Sequence, residues 1–452
     1  MPAAAVRTIE SAPEPSLPAS PASTPSAYAA SEALLARARR TIPLGAQTFS
    51  KSITQLPFGV SPYFAARAKG AILWDEDGRA YVDFCNALCA VTLGYADADV
   101  NAAATAQIAE GSVFSLSHRL EAEVAERICA MVPCAEAVRF GKNGSDATTG
   151  AVRVARAYTG RDRVLTCGYH GWQDWSIGAT ARSKGVPKAV RDLTTPFAFN
   201  DLPALAALLD AHAGEVAAIV LEPMNVTPPA PGYLQGVRRL ADKHGAVLIF
   251  DETITGFRFD RGGAQALFGV TPDLATFGKG LANGFPLSAV AGKKALMAEM
   301  EEVFFSFTMG GEAVSLAAAR AVLDKLERQP VIQTLRIRGA EVQAEVERLL
   351  AVSGAEDLAF VSGDPTWSFI NFTPPQGVDP WALKTLFLQE VFARGLFTLG
   401  THNMSYAHGD AEISTLVSVY GEVFPILAEA VRRGDVEARL RCAPLQPLFK
   451  VR

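Results

Sequence analysis

Short apolar runs, each closed by a polar or glycine-rich stretch, recur through the middle of this chain. The run at 246–250 follows Gly245 and ends abruptly at Asp251 and Glu252, and the run at 274–277 ends at Gly278, Lys279 and Gly280. Others lie at 137–140, 163–167, 216–221 and 287–291. Runs that are apolar at every position, rather than at alternate ones, predict strands buried on both faces. Apolar residues at helical spacing predict helices over 102–110, 120–131, 147–158, 234–244, 313–326 and 335–351. Strand, polar loop and helix follow one another repeatedly, so the fold class predicted is α/β, with a mostly parallel central sheet in a large domain.

The two ends of the chain read differently. Asp75-Glu76-Asp77-Gly78 between apolar runs at 71–74 and 80–84 is a hairpin signal. After about residue 355, a strand at 367–372, a helix at 381–394 and a polar run at 401–408 suggest an α+β arrangement. The expected division is a large domain over 96–329 and a smaller α+β domain built from 31–95 and 330–452. Residues 1–30, dominated by Ala, Pro, Ser and Thr, have too little apolar surface to fold and read as a disordered tail, with an organelle transit peptide as the alternative.

Composition narrows the possible partners. The chain has 452 residues, 49% of them hydrophobic, which suffices for two domains. A formal net charge of −5 with no dense Lys/Arg block argues against nucleic acid. No apolar run approaches membrane-spanning length, so no membrane partner is expected. The six cysteines form no C-x-x-C pair and the six histidines no ligand motif. That usage predicts reduced thiols in a cytoplasmic protein and no metal site.

Open α/β sheets bind ligands beyond the carboxyl ends of their strands, where Asp251 and Lys279 both fall. A lysine amine can form a Schiff base with a carbonyl, and an aspartate facing a pyridine nitrogen keeps that nitrogen protonated; the pair points to pyridoxal phosphate (PLP). A lysine between glycines is more often a plain turn residue, so the reading needs a phosphate site and a stacking ring as well. Gly141-Lys142-Asn143-Gly144-Ser145-Asp146, between a strand and a helix, can present free amides to a phosphate. Tyr169, at a strand end between glycines, can lie flat on a planar ring.

These motifs, with Ala155-Arg156-Ala157-Tyr158-Thr159-Gly160-Arg161-Asp162, Tyr169-His170-Gly171, Thr255-Gly256-Phe257-Arg258 and Gly269-Val270-Thr271-Pro272-Asp273, make the chain resemble the class III aminotransferases, PLP enzymes of fold type I. Within them it is most similar to the branch around glutamate-1-semialdehyde aminomutase, over residues 40–430. The resemblance implies that Lys279 carries PLP as a Schiff base and shuttles the proton. It implies that Asp251 pairs with the pyridinium nitrogen, Tyr169 stacks on the ring, and Gly144 and Ser145 hold the phosphate. His170, Glu222 and Thr253 would complete the cofactor site, Thr253 standing where the family usually has Val and Asp146 where it usually has Glu. Thr308 would reach the phosphate of a neighbouring subunit, which implies a homodimer with shared active sites.

The departures fall on the substrate side. Ile53 stands near the place of an arginine that meets the mutase substrate's carboxylate, Leu88 replaces a pocket tryptophan, and Gly400 replaces an acidic residue. Lys51, Leu88, Trp172, Trp175, His402, Asn403 and Tyr406 become the substrate-pocket candidates. Retained cofactor positions with altered substrate positions imply an aminotransferase moving nitrogen from a small amino donor to an oxo or aldehyde acceptor. An aminomutase or an amino-acid racemase on the same scaffold is the alternative.

Overall fold

A computed structural model describes residues 27–446. The expectation for the N-terminal tail lies largely outside them, although the first helix, Ala29–Ala38, already begins inside the stretch read as disordered. The centre is a seven-stranded sheet in the order Ala137–Gly141, Ser288–Gly292, Leu274–Phe277, Val247–Asp251, Val216–Leu221, Arg163–Cys167, Thr194–Pro196. Its strand pairs are parallel except those of Ser288–Gly292, which runs antiparallel to both neighbours.

The continuously apolar runs are explained by two covered faces. Ala218, Val220, Val247, Ile249 and Leu274 pack under the helix Gly144–Thr159, whereas Ile219, Leu221, Leu248 and Phe250 pack under the helices Leu202–Ala211 and Tyr233–His244. Side chains alternate along a strand. Asp251 is therefore in phase with Val247 and Ile249, and Thr276 with Leu274, on the face that Gly144–Thr159 covers. Asp251 is also the register partner of Thr276. The alternation that builds the core thus delivers a carboxylate and a hydroxyl to the same face at the carboxyl end.

Of the two remaining sheets, one is shared by both chain ends and the other comes from the C-terminal part alone. Ala65–Lys69, Ile72–Asp75 and Ala80–Asp83 form an antiparallel meander extended by Leu396–Phe397, and Ala359–Asp364, Trp367–Phe372 and Thr401–Asn403 form a three-stranded antiparallel sheet. The helix Asp410–Arg433 was not anticipated. It is long and apolar enough to cross a membrane by length and composition, which corrects the expectation that no such run exists. Ile413, Leu416, Tyr420, Val423, Phe424 and Leu427 recur at helical spacing along it and are buried in the main core cluster.

Candidate active site

Four strand ends and one helix N-terminus converge here. Asn143 caps the helix that begins at Gly144, not at Ala147 as the sequence suggested, and Asp146 accepts from the Asn143 amide at 2.7 Å. The loop after Arg163–Cys167 lies directly over this N-terminus: a Cβ on Gly171, whose φ is 106°, would sit 2.5 Å from the Ser145 Cβ. Gly144 and Gly278 face Thr253, whose Cγ2 would lie 2.9 Å and 3.3 Å from Cβ atoms built on them. Three chain segments approach through glycines because side chains there would close the space.

Asp251 is the electrostatic centre. It is 5% exposed. Its Oδ1 accepts from the Thr253 amide at 3.1 Å and the Thr276 hydroxyl at 3.2 Å, and its Oδ2 lies 2.8 Å from His170 Nδ1. Burial works to raise its carboxyl, but the contact and charge of His170 together with Thr253 outweigh burial and hold it below the ordinary range. His170 Nε2 meets the Cys167 carbonyl at 3.1 Å. Both partners of His170 only accept, so both contacts are hydrogen bonds when both ring nitrogens carry protons. Glu252, the next residue, has a different task. Fully buried, its carboxylate receives Thr255 Oγ1, Gln265 Nε2 and the amides of Ala264 and Gln265, fixing the loop that follows Asp251.

Lys279 opens a 3₁₀ turn, Lys279–Ala282, on the adjacent strand end with φ 43°. A non-glycine residue there carries backbone strain of about 1–2 kcal/mol. A second strained segment packs against that turn: Asn86, Ala87, Leu88 and Cys89 have φ of 44°, 47°, 59° and 70°. Asp83 pins its start, accepting from the amides of Cys85 and Asn86 and from Tyr95 Oη. Arg258, 1% exposed, pins its end. It donates to the carbonyls of Thr366, Met404 and Cys89 and to the Thr92 hydroxyl. The sequence motifs do not single out Asp83, Thr92 or Thr276, which bond to the Asn86–Cys89 turn, Arg258 and Asp251 respectively, and they contain Arg258 only as one member of a motif. Thr276, a hydroxyl inside an apolar run and in phase with Leu274, was the legible signal.

Among the expected residues, Gly144 lies against Thr253 and Ser145 against Gly171, and His170 and Thr253 meet Asp251. Tyr169 and Lys279 are chain neighbours of His170 and of Gly278, which faces Thr253. Glu222 joins them at the next strand end, 8% exposed, its Oε2 2.7 Å from a Cβ built on Gly168 and 2.6 Å from Asn225 Nδ2. Tyr169 is 37% exposed. Thr308 is exposed on the loop before the helix Ala313–Arg328. Leu88 is half-buried in the strained turn, Lys51 and Trp172 are exposed, and Tyr406 is half-buried with its amide on the Thr92 carbonyl.

Three pocket candidates are corrected. His402 is fully buried, both ring nitrogens taken by Ser368 Oγ and Tyr420 Oη at 3.0 Å. Asn403 is buried and donates to the Cys85 carbonyl at 2.6 Å. Trp175 packs behind His170, ring centroids 6.2 Å apart, and donates to Thr149 Oγ1. In each case side-chain parity or local packing points the polar group inward, which a polar stretch in the sequence does not reveal.

The glycine-walled space, the anionic Asp251 and a buried Thr253 hydroxyl with no partner among the described residues fit a phosphorylated pyridine such as PLP. Among the described residues no cluster of His, Cys, Asp or Glu could hold a metal ion.

The model of the family described as Aminotransferase class-III matches residues 57–405. A 3-aminobutyryl-CoA aminotransferase of Cloacimonas acidaminovorans (strain Evry) is 34% identical over 87% of this chain and 96% of its own. A glutamate-1-semialdehyde 2,1-aminomutase of Syntrophobacter fumaroxidans (strain DSM 10017 / MPOB) is 33% identical over 81% and 91%. The solved structure of the FumI protein of Sphingopyxis sp. MTA144, in its PLP internal aldimine form, superposes with a TM-score of 0.83 at 29% identity, covering 89% of this chain and 97% of that one.

Proposed function

The chain belongs to the class III aminotransferases, a PLP-dependent family, and on that premise we propose how its own residues carry the transfer of an amino group from a small donor to an oxo or aldehyde acceptor. The observation that carries the reading is a carboxylate held anionic at one strand end with the Lys279 turn on the adjacent strand end. PLP, when bound, supplies a carbonyl for the amino group and a protonated ring that accepts the electrons of a broken carbon–hydrogen bond. Asp251 would keep the proton on the ring nitrogen of the bound cofactor, and His170 favours the charged form of Asp251. Gly144 and Ser145 offer the first amides of their helix, which have no partner within it, to the phosphate. Tyr169 would cover the ring, and His170, Glu222 and Thr253 would border it. Lys279 Nζ would hold the cofactor covalently, and its free amine would serve as the base that moves the proton.

A two-fold homodimer completes the site in this proposal. Thr308 lies on an exposed loop with Phe304, Phe307 and Met309. That loop adjoins the exposed Val113, Phe114 and Leu116 through the Ala313 amide on the Ser112 carbonyl at 2.8 Å. So much apolar surface around one hydroxyl suits a second copy of the chain, with Thr308 serving the partner's phosphate site. Six free thiols, most of them buried, suit the reducing cytoplasm. The segments 31–95 and 330–452 are proposed as one small domain beside the large one, 96–329. Lys51, Leu88, Trp172 and Tyr406 remain the candidates for substrate contact, and Ile53 leaves the mutase carboxylate contact without its arginine.

Stoichiometry tests transfer against isomerisation. Given an amino donor alone, the PLP-loaded protein should lose its visible absorption in one equivalent and stop until an oxo acceptor is added. Continuous turnover on one substrate would establish a mutase or racemase instead.

A further inference from the structure

Thr253 holds a buried polar atom that makes no well-formed hydrogen bond. Its Cγ2 fills the gap left by Gly144 and Gly278, and its amide is committed to Asp251. Its Oγ1 is buried without a hydrogen-bond partner, 3.3 Å from a Cβ built on Gly144. The hydroxyl faces Asp251 and helps to hold its carboxyl low, but does not meet it in hydrogen-bonding geometry. An unpaired buried hydroxyl destabilises a fold, and valine would give the same branched shape without that cost. The hydroxyl is therefore available to a partner that is not part of the protein.

We propose that the Thr253 hydroxyl is a ligand of the bound cofactor, donating to an acceptor oxygen on its phosphate side. The direction follows from the neighbours. Asp251 takes the edge of the ring that carries a donor, the protonated nitrogen. Gly144 opens the helix N-terminus, where unpaired amides collect an anion, and Oγ1 lies against that residue. The proposal rests on the reading that this chain holds PLP.

The test compares T253V and T253S with the wild type, each stripped of PLP and then reloaded. Stripped T253V should melt higher than the stripped wild type, by about 2 °C, because the unpaired hydroxyl is gone. Loaded with PLP the order should reverse. The dissociation constant for PLP, read by visible absorbance, should rise about tenfold in T253V and stay within about threefold of wild type in T253S. If T253V raises the melting temperature of both forms alike, or binds PLP as tightly as the wild type, the hydroxyl is only a packing defect and the proposal falls. Failure of the wild type itself to take up PLP would sink the functional reading instead, so the two failures are separable.

Discussion

His170 and His402 are both buried, and the sequence marked both as candidates, yet they sit in opposite kinds of surroundings. His170 stands at the end of a parallel strand, with the Asp251 carboxylate on one nitrogen and a backbone carbonyl on the other. His402 sits on a short antiparallel strand among Ser368, Tyr420, Phe84 and His408, with no carboxylate. Burial, aided by the charge of His408, pushes it down to about 3, so it stays neutral. What separates the two histidines is therefore not burial. It is whether the strand end brings an anion to the ring.

Lys279→Ala should give the largest effect, because it tests whether the region around His170 is the working one. Turnover should fall at least about 10³-fold while PLP still binds without a covalent bond. Borohydride reduction followed by mass spectrometry should label the wild type and not the variant. Full activity would erase the distinction between the two regions.

Arg258→Met comes next, since Arg258 joins the two regions. Its guanidinium holds Met404 and Thr366 on the side of His402, and Cys89 and Thr92 on the side of Lys279. Methionine fills comparable volume but leaves buried carbonyls unpaired, so a denaturant midpoint should report a loss of about 3 kcal/mol. Release of the strained Asn86–Cys89 turn should also raise KM more than it lowers kcat, because that turn carries Leu88. Equal loss of both would mean that Arg258 serves stability alone.

His170→Phe sharpens the contrast. Asp251 loses a donor to its charged form, worth about 10- to 100-fold in cofactor affinity. The pH dependence should move with it. The Asp251 carboxyl is held below its ordinary value, so its contribution to stability is present at neutral pH and lost as pH falls through that depressed value. Without His170 the loss should begin at higher pH, visible as earlier release of PLP on acidification.

The same contrast shows how much could be read from the sequence. The apolar runs revealed the central sheet because both of its faces are covered, and Asp251 and Lys279 were visible because each breaks such a run abruptly. The sequence does not record which face a residue takes in a short edge strand. That is why His402 and Asn403 passed for pocket residues, although their strand turns them against Tyr420 and Cys85. Nor does it record positive φ at four consecutive non-glycine residues, since nothing in Asn-Ala-Leu-Cys signals a left-handed turn. That conformation is held by the nearby Asp83 and by Arg258 and Asn403, which come from distant parts of the chain.

His402→Gln should give the smallest effect, and one of opposite kind. Glutamine can still meet Ser368 and Tyr420, so activity at neutral pH should stay within about threefold. The acid limb of stability should change. The folded protein holds His402 near 3 and His408, mainly through burial, near 4, both below the ordinary value of 6.5. Groups depressed in this way lend stability above the ordinary value and withdraw it as pH falls. Asp83, pushed up to about 6 by burial, acts in the other direction, being fully favourable only below its ordinary carboxyl value. Asp83 and His408 are untouched by the substitution, so the difference between variant and wild type isolates His402. From pH 7 to pH 5 the wild type should lose about 2 kcal/mol more than the variant. Identical acid limbs would show that the ring is not held neutral, and the distinction drawn between the two histidines would then rest on the carboxylate alone.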